Sequence, residues 1–147
     1  MRPRWFLLLV CLLAFASVPA QRAAPNLLAQ AEAAQGKKRA ELFMEVAEER
    51  VNQAGQLFEE GKIEEAQAAV KGAVAASQEA SDAAIKSHRR LKQTEISVRR
   101  LARRLTEIAA TLPFEDREGV KVHVEKLEAI RRELLDAMFE KKKKVAP

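Results

Sequence analysis

The side chains that could take part in acid–base or metal chemistry are few and widely separated along this chain. The only two histidines are His88 and His123, and the only cysteine, Cys11, lies within an apolar N-terminal run. A structural zinc site uses about four nitrogen or sulfur ligands. These residues are too few for such a site, so we predict no metal ion and no other cofactor.

Two acidic pairs, Glu59-Glu60 and Glu64-Glu65, flank a helical turn and have the residue types of a general acid and base. Neighbouring carboxylates on an exposed, highly charged hairpin are usually solvated instead. The sequence also contains no serine or threonine in a glycine-bounded nucleophile motif, and no glycine-rich loop that could hold a phosphate. We therefore predict that the protein is not an enzyme.

The elements that hold these residues are predicted to be helices, and the longest is the stretch from Ile63 to Leu112. Within it there is no proline, and Gly72 is the only glycine. Small and apolar residues recur every three or four positions, which is the spacing of one face of a helix. They are Ile63, Ala66, Val70, Ala73, Ser77, Ala80, Ala84, Ser87, Leu91, Thr94, Val98, Leu101, Leu105, Ile108 and Leu112. The pattern predicts one helix of about 75 Å with a coiled-coil-like seam.

Two shorter helices are predicted on either side of this stretch, over residues 37–60 and 115–140. The first should end near Gly61, because glycine readily adopts the left-handed conformation that closes a helix. So short a connection to Ile63 requires an antiparallel pair. We predict an all-α fold, an elongated antiparallel bundle or coiled coil of three helices that share one long central helix. The outer helices form either two separate pairings with it or, if they overlap, one three-helix bundle.

The two halves of the predicted central helix differ in side-chain size, which predicts a different partner for each half. Before Ser87 the stripe is mainly alanine, and small side chains let two helix backbones approach closely. From Leu91 onward it is mainly leucine and isoleucine, which need a wider separation. We expect the helix at 37–60 to pack on the alanine half and the helix at 115–140 to pack on the leucine half.

Residues 52–74 resemble the helix–turn–helix unit of the tetratricopeptide repeat. The resemblance lies in the packing residues Gly55, Phe58, Gly61, Ile63, Ala66, Val70 and Ala73. It covers less than a quarter of the chain. No second copy of the motif follows, and Ser77-Gln78 stands where that family usually has a proline. The resemblance implies the geometry of a helical hairpin, without a peptide-binding groove.

Residues 1–20 have the pattern of a secretory signal peptide, with a basic start, an apolar run from Trp5 to Ala16 and small residues before Gln21. The run is shorter than the roughly 20 residues that a spanning helix needs, which favours cleavage over an uncleaved anchor. The expected location is the periplasm or the extracellular space. Residues 21–36 are predicted to form a linker or a frayed helix, and residues 141–147 a basic tail.

Charge is distributed unevenly along the chain, although the net charge is only +5. Residues 41–82 contain ten acidic residues against three basic ones, whereas residues 86–104 contain eight basic residues against one acidic. The second segment includes an arginine cluster: Arg89, Arg90, Arg99, Arg100, Arg103 and Arg104. In one interpretation these side chains cover the leucine seam and pair with acids of the helix at 115–140, namely Glu125, Glu128, Glu133 and Asp136. In the other they form a face that binds an anionic partner.

The sequence therefore predicts an exported, non-enzymatic helical protein that acts through protein–protein contacts as a scaffold or adaptor. No motif identifies its partner. A second copy of the chain is one candidate, because the predicted seam is longer than either outer helix. The alternative is a periplasmic chaperone-like protein, or a binder of anionic membrane surfaces, that uses the arginine cluster. Nucleic acid is disfavoured because no nucleic-acid-binding motif occurs and aromatic residues for base stacking are scarce.

Overall fold

The computed structural model of the chain describes residues 23–145, with side chains from residue 27 to residue 140. This part of the chain is helical and contains no strand, which confirms the predicted all-α class. The predicted signal peptide at residues 1–20 lies outside the described residues. The five helices are α1 Ala23–Ala33, α2 Gly36–Glu59, α3 Ile63–Ser87, α4 Leu91–Thr111 and α5 Phe114–Val145.

Helices α2 and α3 form a tight antiparallel hairpin that is closed by Gly61. Gly61 has a φ of +75°, and its N–H donates to the carbonyl of Phe58 at 3.1 Å. The N–H of Lys62 donates to the carbonyl of Leu57 at 2.9 Å. Together these two bonds satisfy carbonyl groups that the end of α2 would otherwise leave unpaired.

Helices α4 and α5 form a second hairpin, joined through Leu112 and Pro113. A proline disfavours the helical conformation in the residue before it, so α4 ends at Thr111. Arg117 then closes the turn from the side of α5. Its Nε donates to the carbonyl of Ala109 at 3.1 Å, and its Nη2 donates to the carbonyl of Leu112 at 3.0 Å.

The two hairpins lie side by side and run in the same direction. Helix α2 is parallel to α4 and helix α3 is parallel to α5, whereas α2 and α5 make no contact within the described residues. The side-chain pairs that establish these directions are Glu41 with Arg90 and Glu48 with Arg100 between α2 and α4, and Gln67 with Asp116 and Gln78 with Glu133 between α3 and α5. The fold is therefore a stack of two hairpins, with α1 packed on α2.

The buried positions of the second hairpin repeat those of the first at a nearly constant distance along the chain. From α2 to α4 the distance is 51 residues, as for the buried pairs Ala40 and Leu91, Phe43 and Thr94, Ala47 and Val98, Val51 and Ala102, Ala54 and Leu105, and Phe58 and Ala109. From α3 to α5 it is 54 residues, as for Ala66 and Val120, Ala73 and Leu127, Ala76 and Ile130, and Ala80 and Leu134. The residue types differ, so the second hairpin is a structural copy without an evident sequence copy.

Side-chain size determines which helices pack most closely. The main contacts of α3 are with α2, and those of α4 are with α5, as the change from alanine to leucine predicts. Ala66, Ala73, Ala80 and Ala84 of α3 are fully buried. In the second hairpin the buried positions include Leu105, Leu127 and Leu134. Larger side chains require a wider separation of helix axes in this hairpin than in the alanine-rich α2–α3 pair.

The predicted single helix from Ile63 to Leu112 is wrong. His88, Arg89 and Arg90 interrupt it and separate α3 from α4. His88 has a φ of 51° and Arg90 a φ of 61°, which is the left-handed region in both cases. The N–H of His88 donates to the carbonyl of Ile85 at 3.1 Å, and that of Arg89 donates to the carbonyl of Ala84 at 3.2 Å. Gly61 and Lys62 donate the corresponding pair of bonds at the end of α2.

The helix is interrupted because the turn allows the leucine seam of α4 to be buried. A continuous helix would carry α4 away from the first hairpin and leave one side of its seam without a partner in the same chain. The turn at residues 88–90 instead places α4 against α2, α3 and α5 together. Val98 and Leu105 are then completely buried. The predicted arrangement of three helices around one central helix is replaced by the stacked hairpins.

Residues 23–33 belong to the stretch predicted as a linker or frayed helix, and they form the ordered helix α1. Ala31 is completely buried against the core, and Leu27 and Leu28 are half-buried there. Arg39 of α2 closes the C-terminal end of α1. Its Nη1 donates to the carbonyl of Glu32 at 2.9 Å and to that of Ala31 at 3.4 Å.

Candidate interaction face

The parallel helices α2 and α4 present two rows of opposite charge on neighbouring surfaces. The acidic row belongs to the first half of α2 and consists of Glu41, Glu45, Glu48 and Glu49. The arginine row belongs to α4 and consists of Arg99, Arg100, Arg103 and Arg104, all of which are exposed. Because α4 folds back beside α2, segments of opposite charge that are about fifty residues apart in sequence become neighbours.

A groove of about 170 Å³ lies between the first halves of α2 and α4. Its floor is formed by the buried side chains of Ala40, Met44 and Thr94. Its walls carry charge of both signs and neutral polar groups. The lining residues are Ala40, Glu41, Met44, Glu45, Glu48, Arg90, Gln93, Thr94 and Ser97. The groove is therefore suited to a polar segment of a partner rather than to an apolar ligand.

Two ion pairs join α2 and α4 in this region, and Glu41, Arg90 and Glu48 of these pairs line the groove. Arg90 Nη1 lies 3.3 Å from Glu41 Oε1, and Arg100 Nη1 lies 3.9 Å from Glu48 Oε1. The four side chains are between 31 and 68 % exposed. Exposed pairs of this kind contribute about 0–1 kcal/mol each. The acidic row is thus only weakly engaged by the arginines beside it.

Arg103 and Arg104 make no ion pair within the described part of the chain, and neither does Arg89. Arg99 has only a long contact, 3.8 Å, with Glu95. The exposed charge of this row is therefore largely uncompensated.

The predicted pairing of these arginines with acids of the last helix is wrong. Among the described residues no acidic side chain of α5 pairs with Arg89, Arg90 or the arginine row. Glu128 pairs with Arg131 of its own helix, and Glu133 accepts from Gln78. Glu125 and Asp136 are exposed. Arg99, Arg100, Arg103 and Arg104 are exposed, and the side chain of α4 that does pair with α5 is the buried Glu95.

The ion pair that does join α4 and α5 has the reverse arrangement of charge. Arg131 of α5 donates from Nε to Oε1 of Glu95 at 2.7 Å. The Glu95 side chain is only 8 % exposed. Glu95 is the only acid within the basic segment 86–104, and that isolation is the one sequence signal that could have singled it out.

The seven hairpin-packing residues lie together at the α2–α3 turn, with one difference in their contacts. Phe58, Ala66, Val70 and Ala73 are buried, Ile63 is half-buried, and Gly61 forms the turn. Gly55 does not mark a close approach to α3. A Cβ built at Gly55 would meet only Ile108 Cδ1 of α4, at an ordinary distance of 3.6 Å.

The chemistry-bearing side chains are dispersed over the structure. His88 lies in the α3–α4 connection and His123 lies in α5. Burial, followed by Lys126 and Lys71, lowers the pKa of His123 below its ordinary value of 6.5. No three His, Cys, Asp or Glu side chains are arranged to hold a metal ion among the residues that the structure describes. No described helix is both long and apolar enough to cross a membrane.

Comparison of the chain with protein-family models, with curated proteins and with solved structures found no match.

Proposed function

We propose that the protein is a non-enzymatic adaptor or scaffold of the periplasm or cell envelope that binds a protein partner through the α2–α4 face. The observation that carries the proposal is the arginine row. Arg103 and Arg104 are exposed, have no acidic partner in the described structure, and lie on a helix that is fixed by three neighbours. A partner with an acidic segment would supply the missing charge.

The groove beside this row supports a protein partner over a small anion. Glu41, Glu45 and Glu48 form its other wall, and a small anion would be repelled from that side. A polypeptide can place its acids on the arginine row and its bases or amide groups along the acidic wall. Such charge complementarity contributes to specificity and association rate more than to affinity.

The test is retention of partners from envelope extract by the mature protein as bait. We expect Arg103→Gln with Arg104→Gln to lose a partner that the wild type retains. The matched control is Lys86→Gln with Arg132→Gln, which removes the same charge from exposed sites on α3 and α5 and should retain that partner. Equal retention by the two double variants would show that total charge, and not this face, governs binding.

The second candidate function is binding to an anionic membrane surface or to unfolded client chains, and the same uncompensated arginines favour it. Co-sedimentation with vesicles separates the membrane alternative from the adaptor function. Vesicles with anionic lipid should retain the wild type and release the Arg103→Gln, Arg104→Gln variant, whereas neutral vesicles should retain neither. For the client alternative, the wild type should delay aggregation of an unfolded protein and the variant should not.

The proposed location depends on residues 1–20 acting as a signal peptide. Mass spectrometry of the protein recovered from a secreting bacterial host tests this step. A product that starts at Gln21 supports cleavage, and a full-length product in the membrane fraction supports the anchor.

We also propose that the α2–α3 hairpin packs like a tetratricopeptide unit. Its buried Phe58 and Ala66 and its turn at Gly61 support this, as does the stacking of a second hairpin beside it. Stacking of similar helical hairpins is the arrangement of helical repeat proteins. The different environment of Gly55 weighs against common descent.

A further inference from the structure

The connection between α3 and α4 uses an unfavourable backbone conformation twice within three residues. His88 and Arg90 both have positive φ, although both carry side chains that disfavour the left-handed region. His88 and Arg89 donate the two closing hydrogen bonds that Gly61 and Lys62 donate at the α2–α3 turn. Gly61 meets that requirement without strain, and His88 does not.

The sequence around this connection also favours a continuous helix. From Ala73 to Leu112 there is no glycine and no proline. The spacing of the buried face continues through the break, at Ala84, Ser87, Leu91 and Thr94. A straight helix over residues 63–111 would therefore relieve two strained residues and restore the helical hydrogen bonds that the turn removes.

The directions of the helices determine what a straight helix would meet. α4 is parallel to α2, and α2 is antiparallel to α3, so α4 runs opposite to α3 in the folded-back chain. Two straight helices from two chains, placed antiparallel, bring the α4 of each beside the α3 of the other in that same direction. The contacts between Glu48 and Arg100 and between Gln78 and Glu133 can then form between chains as they do within one.

We propose that the α3–α4 connection is a hinge and that the chain forms a domain-swapped dimer. In this dimer the α4–α5 hairpin of each chain packs on the α2–α3 hairpin of a second copy. The hairpin interface is the same in both forms, so the difference between them is the relieved strain at the hinge set against the entropy of association. The dimer fraction therefore rises with protein concentration.

The first experiment compares two double variants that lose the same side chains. Both His88→Gly with Arg90→Gly and His88→Ala with Arg90→Ala remove the Arg90–Glu41 ion pair and every side-chain contact of His88. Glycine tolerates the left-handed turn, whereas alanine disfavours it and favours a continuous helix. Sedimentation equilibrium should give the alanine variant a dimerisation constant more than about tenfold above that of the glycine variant. Equal constants, or monomers at every concentration up to about 1 mM, would overturn the proposal.

The second experiment leaves the hinge intact and measures its shape. Spin labels are attached at Ala68→Cys and Ala110→Cys, both exposed, in a chain that also carries Cys11→Ser. A straight helix separates these positions by about 63 Å. In the folded-back chain both lie near the hairpin turns at the same end, so the distance is far shorter. Labelled chains diluted into unlabelled dimer should show the long distance, and a dimer with only the short distance would contradict a swap.

Discussion

Arg131 of α5 pairs with Glu95 of α4, with Nε 2.7 Å from Oε1, and this ion pair joins the two helices of the second hairpin. The hydrogen bond to Glu95, and then that to Glu128, raises the pKa of Arg131. Glu95 is the more buried partner, with 8 % of its side chain exposed against 30 % for Arg131. The two partners therefore have unequal consequences when they are removed.

We predict that Arg131→Met lowers the midpoint of urea unfolding more than Glu95→Gln does. Arg131→Met leaves a buried carboxylate whose remaining basic neighbour, Arg99, is 3.8 Å away, and an unpaired buried charge is strongly unfavourable. Glu95→Gln removes the charge and leaves Arg131 free to reach solvent and Glu128. The double variant should unfold at a higher urea concentration than Arg131→Met alone. The reverse order would show that Glu95 is solvated in solution.

A second prediction concerns Gly55 and Gly61, for which alanine should have opposite effects. Gly55 is within α2, and a Cβ there makes an ordinary 3.6 Å contact with Ile108, so Gly55→Ala should stabilise the fold by about 0.5–1 kcal/mol through helix propensity. Gly61 has a φ of +75°, so Gly61→Ala should destabilise it by about 1 kcal/mol. Thermal unfolding of both variants in one buffer checks the signs. A loss of stability in Gly55→Ala would indicate that the α2–α4 contact is tighter than 3.6 Å.

Arg39 of α2 contacts both α1 and α3. Its replacement by alanine should weaken the packing of α1 and leave the other helices in place. Besides the carbonyls of α1, its Nη2 lies 2.7 Å from Glu79 of α3 and its guanidinium lies 4.7 Å from the centre of the Phe43 ring. Arg39→Ala should weaken the local stability of α1 by about 1–2 kcal/mol. Hydrogen exchange should accelerate over residues 27–34 and remain unchanged in α4 and α5. Lys38→Ala is the control, because the ion pair that Lys38 makes among the described residues is with Glu41, at 3.5 Å, and does not involve α1.

The stability of the fold should fall in acid because of His123. Its Nδ1 is buried without a hydrogen-bond partner within the described residues, and its pKa is lowered from 6.5 by burial and by Lys126 and Lys71. The unfolded chain therefore takes up this proton at a higher pH than the folded chain does. The stabilising contribution is complete above about pH 6.5 and decreases as the pH falls through the lowered pKa.

Replacement of His123 isolates this effect. Urea unfolding of the wild type between pH 5 and pH 8 should show a midpoint that rises with pH. His123→Gln keeps a polar side chain that does not titrate, so its midpoint should vary less over the same range. An identical pH dependence in both proteins would assign the effect to other groups.

The helices and their pairings could be predicted because local signals and packing agree there. Gly61 combines a left-handed residue with the end of an apolar stripe, so it marks the first turn. Pro113 marks the second turn, because a proline disfavours the helical conformation in the residue before it. The change from alanine to leucine near Ser87 identifies the two partners of α3 and α4, because side-chain size sets the separation of helix axes.

The break at residues 88–90 could not be predicted, because no residue there disfavours a helix. His88 and Arg90 adopt positive φ only because the fold buries Val98 and Leu105 against the first hairpin, and that gain is not local. The partners of the arginines could not be predicted either. Arg90 and Arg100 pair with Glu41 and Glu48 because the break places α4 beside α2, and that contact depends on the tertiary fold.

The pairing of neighbouring segments also has a consequence for synthesis on the ribosome. The first hairpin is complete at Ser87, before any residue of α4 has been made, and its closing turn involves only nearby residues. The side of the hairpin that α4 later covers, which includes Ala40, Met44 and Gly55, stays open during that interval. Two chains that are translated from one messenger would then be close together while this side of each first hairpin is open. The second hairpin of one chain could pack there on the first hairpin of the other.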